Sequence, residues 1–139
     1  MKTISNEQLT IQVSPHGAEL CSIFANGKEY LWQADPAFWK RHSPVLFPIV
    51  GSVWENQYRN EGIAYTLSQH GFCPAIWNLL LFQKKKTKYD TTLSVMKRHL
   101  RKFSFPVLLE IGYRIQGKQI EVIWEVKIPE KKNVFSNRC

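Results

Sequence analysis

Leu109, Ile111, Tyr113 and Ile115 occupy every second position of one segment, and Ile120, Val122, Trp124 and Val126 do the same in the next. Only a pleated strand sends alternate residues to one side of the chain, so this spacing demands two strands with a shared apolar face. Gln116-Gly117-Lys118 lies between them and supplies a tight turn. Glu121 and Glu125 fall on the opposite face, which must meet water. The pair therefore predicts an antiparallel hairpin with its tip at residues 116–118, set in a sheet with one face on a core.

The first half of the chain repeats this logic in shorter pieces. Leu9, Ile11 and Val13 alternate with Thr10 and Gln12, and a polar turn at Asn6-Glu7 separates them from Thr3 to Ser5. Ala18 to Ala25 reads as a strand that turns at Asn26-Gly27, a pair suited to two-residue hairpins, and Lys28 to Trp32 returns. Gln57 to Asn60 and Ile63 to Leu67 flank a turn at Glu61-Gly62. Asp35-Pro36-Ala37-Phe38-Trp39 reads as one helical turn, capped by Asp35 with Pro36 at its first position. Pro44 and Pro48 break Val45 to Val50 into an extended or edge segment. The fold class expected is all-β: an antiparallel β-sandwich in one domain spanning 1–139, with Thr3 to Phe72 and Phe105 to Lys127 mostly strand.

The formal net charge of +8 is unevenly spread. Lys84, Lys85, Lys86, Lys88, Lys97, Arg98, Arg101 and Lys102 stand against Asp90 alone, while the remainder of the chain is close to balanced. Basicity thus belongs to one stretch. Nucleic-acid or anionic-membrane binding through 84–102 is the less favoured reading, because aromatics there are sparse and no binding motif accompanies them. Lys2 to Thr10 is polar, without the apolar core of a secretion signal, and no apolar run is long enough for a membrane span. Three cysteines, Cys21, Cys73 and Cys139, lack metal-ligand spacing, and the odd count suits a reducing cytoplasm.

Two segments carry chemistry. Ser43-Pro44-Val45-Leu46-Phe47-Pro48-Ile49-Val50-Gly51 is followed, after a hairpin, by Leu67-Ser68-Gln69-His70-Gly71-Phe72. With the opening Ile4 to Ile23, Tyr30-Leu31-Trp32-Gln33, Phe38-Trp39 and the late hairpin, they resemble the aldose 1-epimerase family, in the branch related to sugar-phosphate mutarotases. The resemblance covers Thr3 to Phe72 and Phe105 to Asn133. It implies a galactose-mutarotase-like supersandwich of about twice this length, of which this chain is the incomplete N-terminal portion. It also implies interconversion of the α and β anomers of a hexose or hexose phosphate by acid/base ring opening, with no cofactor and no metal. His70 matches the histidine that contacts the sugar ring oxygen. Ser52 and Trp54 adjoin the site segment and are expected to bind substrate, although Ser52 stands where many relatives carry a sugar-binding Arg. Cys73-Pro74 replaces the Ala-Arg of the family's "H-G-F-A-R". The acid His belongs to a later "G-A-H-P-x-F" motif and the base Glu to the family's C-terminal region, and neither motif occurs here, so this chain alone is expected to be inactive.

From Cys73 to Ser104, and from Val134 onward, the family pattern fails. One permitted back-translation of Ile76 to Tyr89, read two bases later, gives Met-Glu-Phe-Thr-Leu-Val-Ser-Glu-Lys-Glu-Asp-Glu-Ile-Arg, a family-like strand and acidic turn. Asn133 to Cys139, read one base later, gives Met-Phe-Phe-Gln-Ile-Gly-Ala. Residues 73–104 are therefore read as an aberrant, frame-shifted segment, expected to be weakly ordered or a helix lying loosely on the sheet.

Plainer readings compete at each position. His70 also fits a loop histidine that caps backbone groups. His16 and His42 read as surface loop residues, and Glu110, Glu121 and Glu125 as solvent-face strand residues. Trp32, Trp39, Trp54 and Trp124 read more readily as core than as sugar platforms, though Trp54 also fits the lining of a site. A non-catalytic carbohydrate-binding sandwich is the second functional reading. The frame-shift reading predicts family-like coding in alternative frames around codons 73 to 105 and beyond codon 133. Sequencing that DNA checks it, and codons that exclude those readouts refute it.

Overall fold

The computed structural model describes residues 1–71, 81–86, 90–97 and 107–128. One four-stranded antiparallel sheet runs in the order β1 (Lys2–Ser5), β2 (Thr10–Val13), β3 (Leu20–Ala25) and β4 (Lys28–Glu29). β5 (Gln57–Asn60) and β6 (Ile63–Thr66) form a separate hairpin. A second four-stranded antiparallel sheet has the order β10-β9-β8-β7, from β7 (Leu81–Lys86), β8 (Asp90–Lys97), β9 (Leu108–Gln116) and β10 (Gln119–Lys127). The all-β antiparallel class read from the alternation is the observed one.

The late hairpin forms as its spacing requires. Ile115 faces Ile120, Tyr113 faces Val122, Ile111 faces Trp124 and Leu109 faces Val126. Gly117 and Lys118 make the tip, closed by the Gln116–Gln119 pair. At the tighter turns both central residues have positive φ, Asn26 and Gly27 in one and Glu61 and Gly62 in the other. That is the backbone a right-twisted two-residue hairpin needs, and Gly adopts it without steric cost.

The two sheets share one core. Ile4 of β1, Ile11 and Val13 of β2, and Ile115 of β9 are fully buried, and Leu109, Ile111 and Tyr113 join them with Leu9, Ala18, Leu20, Val45 and Leu67. Asn6 ties the layers at their rim, its side-chain nitrogen donating to the Gly117 carbonyl oxygen at 2.8 Å. Its side-chain oxygen accepts from the backbone nitrogens of Gln8 and Leu9, which closes the β1–β2 turn.

Several expectations need correction. β4 stops at Glu29 instead of reaching Trp32, and no strand forms from Tyr30 to Asn56. Glu29 is the cause: one carboxylate oxygen accepts from the backbone nitrogens of Ile23, Tyr30 and Leu31 at 2.8–3.0 Å, and the other from Ser22 Oγ at 2.6 Å. The Tyr30 N–H still donates to the Ile23 carbonyl at 2.8 Å, but the Ile23 N–H, which the reciprocal ladder bond would use, goes to the Glu29 side chain. The turn at Asp35 forms, with Asp35 Oδ1 accepting from Ala37 and the Asp35 carbonyl from Phe38 and Trp39. Trp32, Trp39, Trp54 and Trp124 are not core residues: all four are exposed, three on the irregular 30–56 stretch and one on the sheet's edge strand. Trp32 meets Phe38 edge-on and donates its indole N–H to the Trp39 carbonyl. In the basic segment, the described parts are strands and not helix: β8 pairs with β9 over its whole length, and β7 with β8. Its other residues, including Ile76 to Leu80, lie outside the described ones.

Desolvation pushes the Glu29 carboxyl up, but the bonds from Ser22, Leu31, Ile23 and Tyr30 outweigh it and hold the group below its ordinary 4.5. A lowered folded value means the stabilisation is complete above the ordinary carboxylate range and is lost as pH falls through the folded one. Glu29→Ala is expected to lower stability by about 1–2 kcal/mol at pH 7 and by progressively less in acid. Urea melts of both proteins between pH 7 and pH 3 measure this, and a pH-independent difference contradicts it.

Candidate functional site

The two chemistry-bearing segments meet. The Gly51 backbone N–H donates to His70 Nδ1 at 2.9 Å, and the His70 backbone N–H donates to the Gly51 carbonyl at 2.6 Å. One residue on, Phe47 and Gly71 form an isolated parallel bridge. Ser68 Oγ donates to the Gly71 carbonyl, and the Gly71 N–H to the Ser68 carbonyl at 2.8 Å. His70 is thereby held at a left-handed φ of 61° with its ring half-buried.

This contact decides what the imidazole can offer. A neutral ring has one donor and one acceptor nitrogen. Nδ1 is engaged as acceptor, so the proton sits on Nε2, which is a donor. A ring so fixed suits a hydrogen bond to a sugar oxygen. The plain reading of His70 as a backbone cap is therefore part of the geometry, and it orients the other edge of the ring.

The loop that carries Gly51 is anchored from below. Glu19 Oε1 accepts from the backbone nitrogens of His42 and Ser43 at 2.9 and 3.0 Å, and Ser43 Oγ donates to the Leu20 carbonyl at 2.7 Å. Beneath Glu19, the buried Tyr113 hydroxyl donates to the Ala18 carbonyl at 2.7 Å. Burial first, then the nearby Cys21 and Glu19, raises the Tyr113 phenol above its ordinary range, so it stays protonated and donates. Burial, then Glu19, likewise raises the Cys21 thiol. Glu19 and Tyr113 were not among the candidates: their partners lie 23–24 and 95 residues away, a distance at which no local pattern reports.

Of the other candidates, Ser52 is exposed and directly follows Gly51. Trp54 stands three residues on in a 3-10 turn, Trp54–Asn56, with 86 % of its surface exposed. His16 is an exposed turn residue, and His42 contributes its backbone to Glu19. Glu121 pairs with Arg114, while Glu110 and Glu125 both pair with Lys127, so these carboxylates serve the sheet surface. Among the described residues no three of His, Cys, Asp and Glu stand together as a metal group, and no helix is long and apolar enough to cross a membrane.

Comparison with known proteins places the chain in a family and a fold. Residues 1–137 match the family described as aldose 1-epimerase, and the chain belongs to that family. It is 31 % identical over 133 residues to the plasmid-encoded protein LacX of Lactococcus lactis subsp. lactis, a match covering 88 % of this chain and 43 % of LacX. Among solved structures, a galactose mutarotase-like protein from Lactobacillus casei ATCC 334 superposes with a TM-score of 0.78 at 31 % identity, over 95 % of this chain and 45 % of that one. A galactose mutarotase related enzyme from Lactobacillus acidophilus does so with a TM-score of 0.73 at 34 % identity, over 90 % and 42 %. The chain thus spans less than half the length of these relatives.

Gly71 is the steric keystone of the contact. A Cβ added there would run into the Phe47 carbonyl group and stand 2.6 Å from Pro48 Cδ, at a φ of +73°. Gly51 also has a positive φ, +87°, but open space where its Cβ would be. Gly71→Ala is expected to cost about 3 kcal/mol and Gly51→Ala only about 1 kcal/mol. Urea denaturation of the two variants compares them, and equal losses would deny Gly71 its packing role.

Proposed function

We propose that this chain provides the first sugar-contacting part of a mutarotase, in which His70 donates from Nε2 to the ring oxygen of a hexose or hexose phosphate. The observation that carries the reading is the 2.9 Å bond from Gly51 N–H to His70 Nδ1, which fixes the donor edge. Family membership supports the substrate class. Ser52 and Trp54 are proposed as further sugar contacts, a reading supported by the position of Ser52 beside Gly51 and by the exposure of Trp54. A cytoplasmic location accords with the free, buried Cys21 thiol.

Mutarotation needs a base at the anomeric hydroxyl and an acid at the ring oxygen. Proton removal and delivery open the ring, the aldehyde rotates, and closure on either face gives either anomer. His70 as donor polarises the ring oxygen and holds it in place. The acid His and base Glu of the family pattern lie in motifs this chain does not contain, and each such group contributes about a hundred- to ten-thousandfold. A sugar-binding sandwich without turnover is the second reading, favoured by the absence of the acid and base motifs from these residues.

Polarimetry on fresh α-D-glucose and α-D-galactose is expected to show no acceleration by the purified 139-residue chain. Sugar titrations followed by NMR are expected to show binding that His70→Ala weakens about three- to tenfold. Binding unaffected by His70→Ala would remove His70 from the site. Robust turnover abolished by that substitution would show a complete site within these residues.

A further inference from the structure

The connection from β2 to β3 holds a strained backbone. Ala18 carries a Cβ and is buried, yet its φ is +55°, next to Gly17 at +73°. A left-handed φ disfavours residues with a Cβ, and such an outlier persists only where its surroundings hold it. Three contacts hold this one. The Tyr113 hydroxyl donates to the Ala18 carbonyl at 2.7 Å. The Ser14 N–H donates to the Glu19 carbonyl at 2.7 Å, and the Cys21 thiol donates to the same carbonyl at 3.3 Å. The carbonyls on either side of the Glu19 Cα are thus both fixed, and the Glu19 side chain leaves from a rigid base.

The segment this side chain grips has no register of its own. Residues 43–51 belong to none of the strands β1 to β10, so no ladder sets their position along the sheet. Val45, Phe47 and Ile49 pack on the core, but apolar contact is non-directional and permits sliding. Direction comes from Glu19 Oε1, which accepts from the successive amides of His42 and Ser43, and from Ser43 Oγ on the Leu20 carbonyl. These bonds pin the start of the segment. Its far end presents the Gly51 N–H to His70 Nδ1 at 2.9 Å, and a hydrogen bond tolerates displacement of only a few tenths of an ångström. We propose that Glu19 is a positioning residue for His70: through residues 42–51 it sets where the Gly51 N–H stands, and so which ring nitrogen of His70 carries the proton. Its consequence for sugar affinity rests on the reading of His70 as a sugar donor, whereas its effect on the ring does not.

The test is nitrogen NMR of the isotope-labelled 139-residue chain at neutral pH, with the His70 ring signals assigned by their loss in His70→Ala. The wild type is expected to carry its ring proton on Nε2 alone. Glu19→Gln keeps an oxygen that can accept from both amides and is expected to match it. Glu19→Ala removes the acceptor, and Glu19→Asp withdraws it by one methylene. Both are expected to mix the two tautomers, so that the two ring signals move toward each other, and to weaken sugar binding about threefold. Glu29→Ala loses another carboxylate that holds backbone amides, away from this segment, and is expected to keep the wild-type ring signals. Stability loss alone therefore does not move the readout. Should Glu19→Ala fail to fold, Glu19→Asp decides. A wild-type ring with its proton on Nδ1 or shared, unchanged ring signals in Glu19→Asp, or equal mixing in Glu29→Ala overturns the proposal. Absence of sugar binding by the wild type, with the ring signals as expected, refutes the sugar role of His70 and leaves the positioning role of Glu19 supported.

Discussion

The burial of Ile4 and Ile11 together with Ile115 is the contact on which the described structure depends. Those residues come from opposite ends of the described chain and from different sheets, and they are fully removed from water. Each apolar side chain so buried contributes on the order of 2 kcal/mol. Neither sheet can do this alone, since a sheet face needs a second layer to cover it. Tyr113 and Leu20 then fall into place beside the core, and with them the Ala18–Glu19 turn that anchors the loop toward Gly51.

The site inherits its geometry from that scaffold. A carboxylate holds two successive amides of the 42–43 backbone, a hydroxyl holds the turn below it, and a glycine lets two loops touch. His70 needs no charged neighbour for its orientation, because one backbone amide selects its tautomer. Placing the donor by main-chain contacts suits the contact with a neutral sugar oxygen that is proposed for it.

Much of the fold could be read in advance because its signals are local. Alternation at Leu109 to Ile115 and turn chemistry at Asn26-Gly27 operate within a few residues, and the strands and hairpins stand where those residues put them. The stretch after Glu29 could not be read this way. Its backbone donors are captured by carboxylates, and Glu19 reaches across 23 residues to do so. The four exposed tryptophans misled for a related reason: bulk and apolarity argue for burial only where a second surface is present to receive them. At the site, sequence pointed to His70, Ser52 and Trp54, whereas the contact of His70 with Gly51 and the supporting roles of Glu19, Tyr113 and Gly71 became visible only once distant segments met.

The bond from Asn6 to Gly117 spans 111 residues. It has a consequence for the order of events during synthesis. The β1–β2 hairpin can form as soon as it leaves the ribosome, but the layer that buries Ile4 and Ile11 is translated last among the described strands. Contacts so distant along the chain are slow to form, because loop closure must precede any gain from them. The nascent first sheet therefore carries an uncovered apolar face throughout translation of the intervening residues, and a chaperone that shields such a face has a longer period of duty here than for a protein whose layers are neighbours in sequence.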